Sequence, residues 1–92
     1  MPAANQLRSI FDYIATDNPA AASRTVRRIR EVILRTATMP YAGRVGRVSG
    51  TREANVPGTP YLFAYGIIDK NMIHVLAIFH GVQDWPESFK SD

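Results

Sequence analysis

The chain has 92 residues, a formal charge of +3, an apolar fraction of 46% and no cysteine. That length supports one domain with a small core, and the missing thiol excludes disulfides, thiolate zinc sites and thiol catalysis. The opening "MPAANQLRSIFDYIA" contains Arg8 and Asp12 and does not read as a signal peptide. No apolar run approaches the roughly 20 residues of a membrane span, so the expectation is a cytosolic protein with no membrane partner.

Leu7, Ile10, Phe11 and Ile14 fall at i, i+3, i+4 and i+7, one stripe of a first helix. "TDNP" closes that helix and starts a second, with Asn18 as cap and Pro19 at the first helical position. Ala22, Val26, Ile29 and Ile33 form the expected buried stripe of the second helix. Glu31 lies four residues from both Arg27 and Arg35, a spacing that allows pairing. Met39-Pro40 ends the helix, and the short connection predicts an antiparallel helical hairpin over about 3–38.

After "YAGRVGRVSG", which its glycines mark as a loop or an irregular strand start, the period changes to two. "TREANV" sets Arg52, Ala54 and Val56 on one face and Thr51, Glu53 and Asn55 on the other. "PGTP" is a turn signal, and "YLFAYGIID" and "NMIHVLAIF" read as a hairpin closed near "DKN". The expected β-meander covers about 48–80, followed by a polar tail over 81–92. Two helices followed by a meander predict a single α+β domain over 1–92, the hairpin packed on one face of a small antiparallel sheet.

Charge placement is more informative than total charge. Eight of the nine arginines lie between Arg24 and Arg52, and Glu31 is the one acid inside that span. A basic middle between acidic ends suits a polyanion or an acidic partner, although a solvated helix face gives the same pattern. Arg24, Arg27, Arg28, Arg44, Arg47 and Arg52 are the candidate contact residues. Only Tyr41 is aromatic within that span, which argues against direct binding of nucleic acid by base stacking.

Chemistry has few other carriers. His74 and His80 match no metal-ligand spacing, and no motif calls for a cofactor. Phosphodiester cleavage needs a base, an acid and a cation, which Glu53, His80 and one of Arg44, Arg47 or Arg52 (Arg52 foremost) could supply by type. Yet Arg52 and Glu53 are strand neighbours and should point to opposite faces, where an ion pair to another element is the simpler role. In "HGVQDWP", Gly81 is expected to permit a turn after the last strand, and Trp85-Pro86 to close the sheet edge.

Five motifs now fall in register: "GR" (43–44), "GTRE" (50–53), "PYLFAY" (60–65), "HVLAIFHG" (74–81) and "Q-D-W-P" (83–86). With "FDYIATDNPAAA" at the helix junction, they resemble the ParE branch of the RelE/ParE superfamily, toxins of bacterial type II toxin–antitoxin pairs. The resemblance implies a helical hairpin on an antiparallel sheet and no cofactor. It also implies a cognate antitoxin of ribbon-helix-helix DNA-binding type, assembled with the toxin as a hetero-oligomer, and roles in plasmid maintenance or stress response. ParE-type members poison DNA gyrase, whereas nuclease members cut mRNA on the ribosome. Nuclease members carry a basic residue before the middle strand's "LVY"-like segment, where this chain has Tyr61 and Leu62. They also carry a basic tail, where "PESFKSD" is net acidic. Both departures favour the gyrase-poison branch, with a RelE-type endoribonuclease as the alternative. The family's first strand has no counterpart in "MPAANQ", so it lies upstream or the sheet is shortened, leaving an edge that another chain could pair with.

Overall fold

The computed structural model describes residues 2–81, so the expected closure by Trp85 and Pro86 lies outside the described residues. Helix α1 runs over Pro2–Ala15 and α2 over Pro19–Thr38. Asn18 caps α2 as its position suggests, its Oδ1 accepting from the Ala21 amide at 3.0 Å. At the other end the Met39 amide returns to the Thr36 carbonyl, and Pro40 cannot continue the ladder. The polypeptide instead makes a single 3₁₀ turn over Pro40–Ala42.

Four strands follow: β1 (Arg44–Val45), β2 (Arg52–Asn55), β3 (Tyr61–Asp69) and β4 (Met72–His80). They form one sheet in the order β1-β2-β3-β4, each pair antiparallel. Three strands were expected; β1 is the addition, two residues that hold a strand conformation by pairing with Glu53 and Arg52. The β2–β3 turn carries Gly58 at φ +81°, in the left-handed region where a side chain is strained. Gly81 does not share that conformation. Its amide donates to the Pro60 carbonyl at 2.7 Å, and a Cβ there would come within 3.1 Å of the same oxygen.

Strand alternation divides the sheet into two buried faces. Phe63, Tyr65, Ile78 and Val56 turn toward the helices and pack with Ile29 and Val32, flanked by Leu7 and Ile10 of α1. Leu62, Ala64, Ala77 and Phe79 form a second buried cluster, and the register places them on the opposite face. The buried residues of α2 are Ala22, Val26, Ile29, Val32 and Thr36, so Val32 is sealed where Ile33 was expected and Ile33 sits at the margin. Thr36 tolerates this burial because its hydroxyl donates to the Val32 carbonyl at 2.7 Å. Among the described residues, the edges of the sheet are β1 and β4. On the β4 edge, the Ile78 amide donates to Gln6 Oε1 of α1 at 2.8 Å, a side chain standing where a neighbouring strand's carbonyl would.

Candidate partner-binding surfaces

The segment from the end of α2 to β2 is irregular in sequence but firmly held. Three fastenings secure it. Fully buried Tyr65 sends its hydroxyl to the Pro40 carbonyl at 2.6 Å. Arg52 donates to the carbonyls of Gly43 at 2.6 Å and Tyr41 at 3.3 Å, and its guanidinium lies 5.0 Å from the centre of the Tyr41 ring. The third fastening is Glu53, 2% exposed. One carboxylate oxygen meets Arg44 at 3.3 Å; the other accepts the Arg47 amide at 2.9 Å and lies 3.6 Å from Arg47 Nε. Arg44 also reaches Asn55 Oδ1 at 3.4 Å. A single carboxylate therefore organises both arginines of the glycine-rich loop.

Gly43 is required by close approach rather than by its backbone angle. A methyl group there would overlap the Tyr65 hydroxyl and the Glu53 carbonyl oxygen. Gly50, at φ +81°, turns the chain into β2, and the Gly46 amide closes the loop on the Thr51 carbonyl at 2.8 Å.

Of the residues considered for phosphodiester chemistry, Glu53 meets Arg44 and Arg47, but Arg52 and His80 are not brought to it. Arg52 is on the helix side of β2, bound to backbone carbonyls, and Glu53 is on the opposite side, bound to Arg44 and Arg47. His80 pairs with Tyr61 across β3 from them, whereas Arg52 pairs with Tyr65. Four residues along β3 correspond to on the order of 13 Å. His80 makes an edge-on contact with the Tyr61 ring at 5.4 Å, in a small cleft with Gln6 and Ser9 of α1. The Tyr61 phenol is pushed above its ordinary value, first by burial and then by the charge of Tyr13. His74 is exposed on β4.

The helical arginines serve two different places. Arg27 and Arg30 of α2 join Arg8 of α1 along an open groove of about 780 Å³ between the helices. Leu7, Phe11 and Val26 supply its apolar floor, and Asp12 is the one acid on its wall among the described residues. Arg24 and Arg28 instead line a cleft facing the β2–β3 turn, where Arg28 Nε donates to the Pro57 carbonyl at 3.1 Å. Glu31 does not form the expected pairs; the ion pairs formed among the described residues both involve Glu53. Arg8 and Arg30 are groove residues that the sequence did not single out. Their signal was the i−3 and i+4 company of Arg27 with Arg30 and of Leu7 with Phe11, which becomes a groove only when the two helices are docked.

The described residues thus combine an N-terminal helical hairpin over an antiparallel sheet with an arginine-lined interhelical groove and a basic loop held by Glu53, an α+β architecture. A family model described as "ParE toxin of type II toxin-antitoxin system, parDE" matches residues 1–85, and the chain belongs to that family. It is also 36% identical over 85 residues to "Putative toxin Y4kP" of Sinorhizobium fredii (strain NBRC 101917 / NGR234), an alignment covering 92% of this chain and 86% of that protein. The protein is thus a ParE-family toxin of a type II toxin–antitoxin system, and membership implies a cognate antitoxin. No helix among the described residues is long and apolar enough to cross a membrane.

Proposed function

We propose that this toxin acts in the cytoplasm by binding DNA gyrase and trapping it on cut DNA, without bond-making chemistry of its own. The observation that carries this reading is the commitment of Glu53. Among the described residues, the one buried carboxylate that a nuclease mechanism could use is engaged by Arg44 and Arg47, with Arg52 on the other sheet face and His80 on another strand. A general base needs reach to a substrate proton, and Glu53 is 2% exposed with both carboxylate oxygens already occupied, while His80, the candidate acid, is on another strand.

The antitoxin is proposed to be a ribbon-helix-helix DNA-binding protein. Its carboxy-terminal acidic–apolar segment would lie along the α1–α2 groove, with side chains alternately meeting Leu7, Phe11 and Val26 and the guanidinium groups of Arg8, Arg27 and Arg30. Such a segment folds as it binds and buries a large area for its length, giving a stable hetero-oligomer that raises the toxin's melting temperature by mass action.

The test is induction of the toxin without its antitoxin, followed by assays on purified components. Gyrase supercoiling should be inhibited and the DNA-damage response switched on. Ribosome-dependent cuts in mRNA, with supercoiling untouched, would replace this reading with the RelE-type endoribonuclease.

A further inference from the structure

Of the seven large hydrophobic side chains that stand exposed among the described residues, four fall within residues 34–45: Leu34, Met39, Tyr41 and Val45. Tyr41 is 70% and Val45 77% exposed. A contiguous exposed apolar patch rimmed by polar groups is a usual mark of a protein-binding surface, and Tyr41 and Val45 here are joined through Arg52. The stretch is also the one that Tyr65, Arg52 and Glu53 fasten to the sheet. Arg52 lies against the Tyr41 ring, and Val45 is its cross-strand partner, so Val45 projects on the same side of the edge as that pair. Arg44, about half-exposed and held by Glu53 and Asn55, stands on the other side.

We infer that Met39–Arg47 is a second docking surface, separate from the interhelical groove, whose occupant is a folded protein with carboxylates around an apolar depression. The inference rests on the toxin reading and assigns this surface to the toxin's target rather than to its antitoxin. Three features support the division. The groove ends at Arg30, and α2 continues about 12 Å beyond it, at about 1.5 Å per residue, before the loop begins. A loop held by side chains from three places has little ordering entropy left to lose, which suits a rigid partner; the open groove suits a segment that folds onto it. Tyr, Arg and Met are the residue types enriched where protein interfaces concentrate their binding energy. Phosphate groups would be matched by Arg44 and Arg52 but would gain nothing from Leu34, Met39 and Val45, so a protein is favoured over nucleic acid.

The experiment uses the full chain with Tyr41→Ser and Val45→Thr together, and independently Met39→Gln, in case the first pair disturbs folding. Melting temperature, antitoxin affinity by calorimetry and growth inhibition under graded induction are measured for each. The expected result is at least a tenfold rise in the toxin level needed to halve growth, with melting unchanged and antitoxin affinity within about threefold. Unchanged toxicity would overturn the assignment, as would antitoxin affinity falling in step with toxicity. Growth is the readout because it does not presuppose gyrase. If the wild-type chain stops growth and leaves supercoiling intact, gyrase is refuted as target while the loop variants still decide the loop's role. Binding to bare duplex DNA that falls in proportion to toxicity would also overturn the inference, by making the occupant a polyanion.

Discussion

Replacing Glu53 by alanine tests the clasp directly. The carboxylate accepts the Arg47 amide at 2.9 Å, a hydrogen bond to a charged group, which contributes about 1.5–3 kcal/mol. The pairs with Arg44 and Arg47 involve side chains that are 49% and 41% exposed, so solvent screening leaves each worth about 0–1 kcal/mol. Together these give a loss of about 1.5–5 kcal/mol, against about 5–15 kcal/mol for the whole stability of a domain. For a domain of this size that corresponds to a fall in melting temperature of roughly 6–40 °C. Glu53→Gln separates the parts, because its amide oxygen can still accept from the Arg47 backbone while the charge is gone. It should cost about 1 kcal/mol, and the difference from wild type should shrink as salt is added. Chemical denaturation at low and high salt measures both. An alanine variant within about 0.5 kcal/mol of wild type would refute the claim that this carboxylate organises the loop.

Gly43→Ala should destabilise the domain by about 1–3 kcal/mol, since the added methyl must displace the buried Tyr65 hydroxyl or the β2 backbone; thermal unfolding checks it. Tyr65→Phe keeps the ring and deletes the bond to the Pro40 carbonyl, for a loss of about 1–2 kcal/mol in denaturant titration. Tyr61 holds its proton more tightly in the folded state than at its ordinary value of 10.0, so its stabilising contribution is complete below about pH 10 and is lost as pH rises through the folded-state value. Tyr61→Phe should flatten that alkaline decline in unfolding free energy.

The helices were legible because period, cap and stop signals agree: Leu7 to Ile14 fixes one stripe, and Asn18-Pro19 and Pro40 fix the ends of α2. The hairpin of β3 and β4 was legible from two long β-prone runs around a tight turn, with Asp69 Oδ1 accepting from the Asn71 amide as such turns favour. Strand β1 was not, because Arg44-Val45 has no alternation of its own and is a strand only through its neighbour. The opposite orientations of Arg52 and Glu53 followed from the strand period, but the partners of Glu53 did not. A carboxylate nine residues from Arg44 and six from Arg47 meets them only after Gly46 and Gly50 have turned the chain back. The groove arginines were partly legible for a related reason. Sequence marks which residues of a helix are polar, while helix docking decides which of them face a neighbour.

The basic middle of the chain, which composition presents as one feature, divides by what each guanidinium touches. Arg52, Arg28 and Arg44 act as structural ties, to the Gly43 and Tyr41 carbonyls, the Pro57 carbonyl, and Glu53 with Asn55. Arg44 uses two nitrogens for its tie, a planar fork that the point charge of a lysine would not reproduce, and the chain has nine arginines against two lysines. Arg8, Arg27 and Arg30 have no such tie among the described residues and line the apolar groove instead. The same residue type thus builds the loop and charges the groove. A change of Arg52 to another residue should then be read first as damage to the loop's anchorage, and a change of Arg30 first as a change in binding. Net charge alone would have predicted the same effect for both.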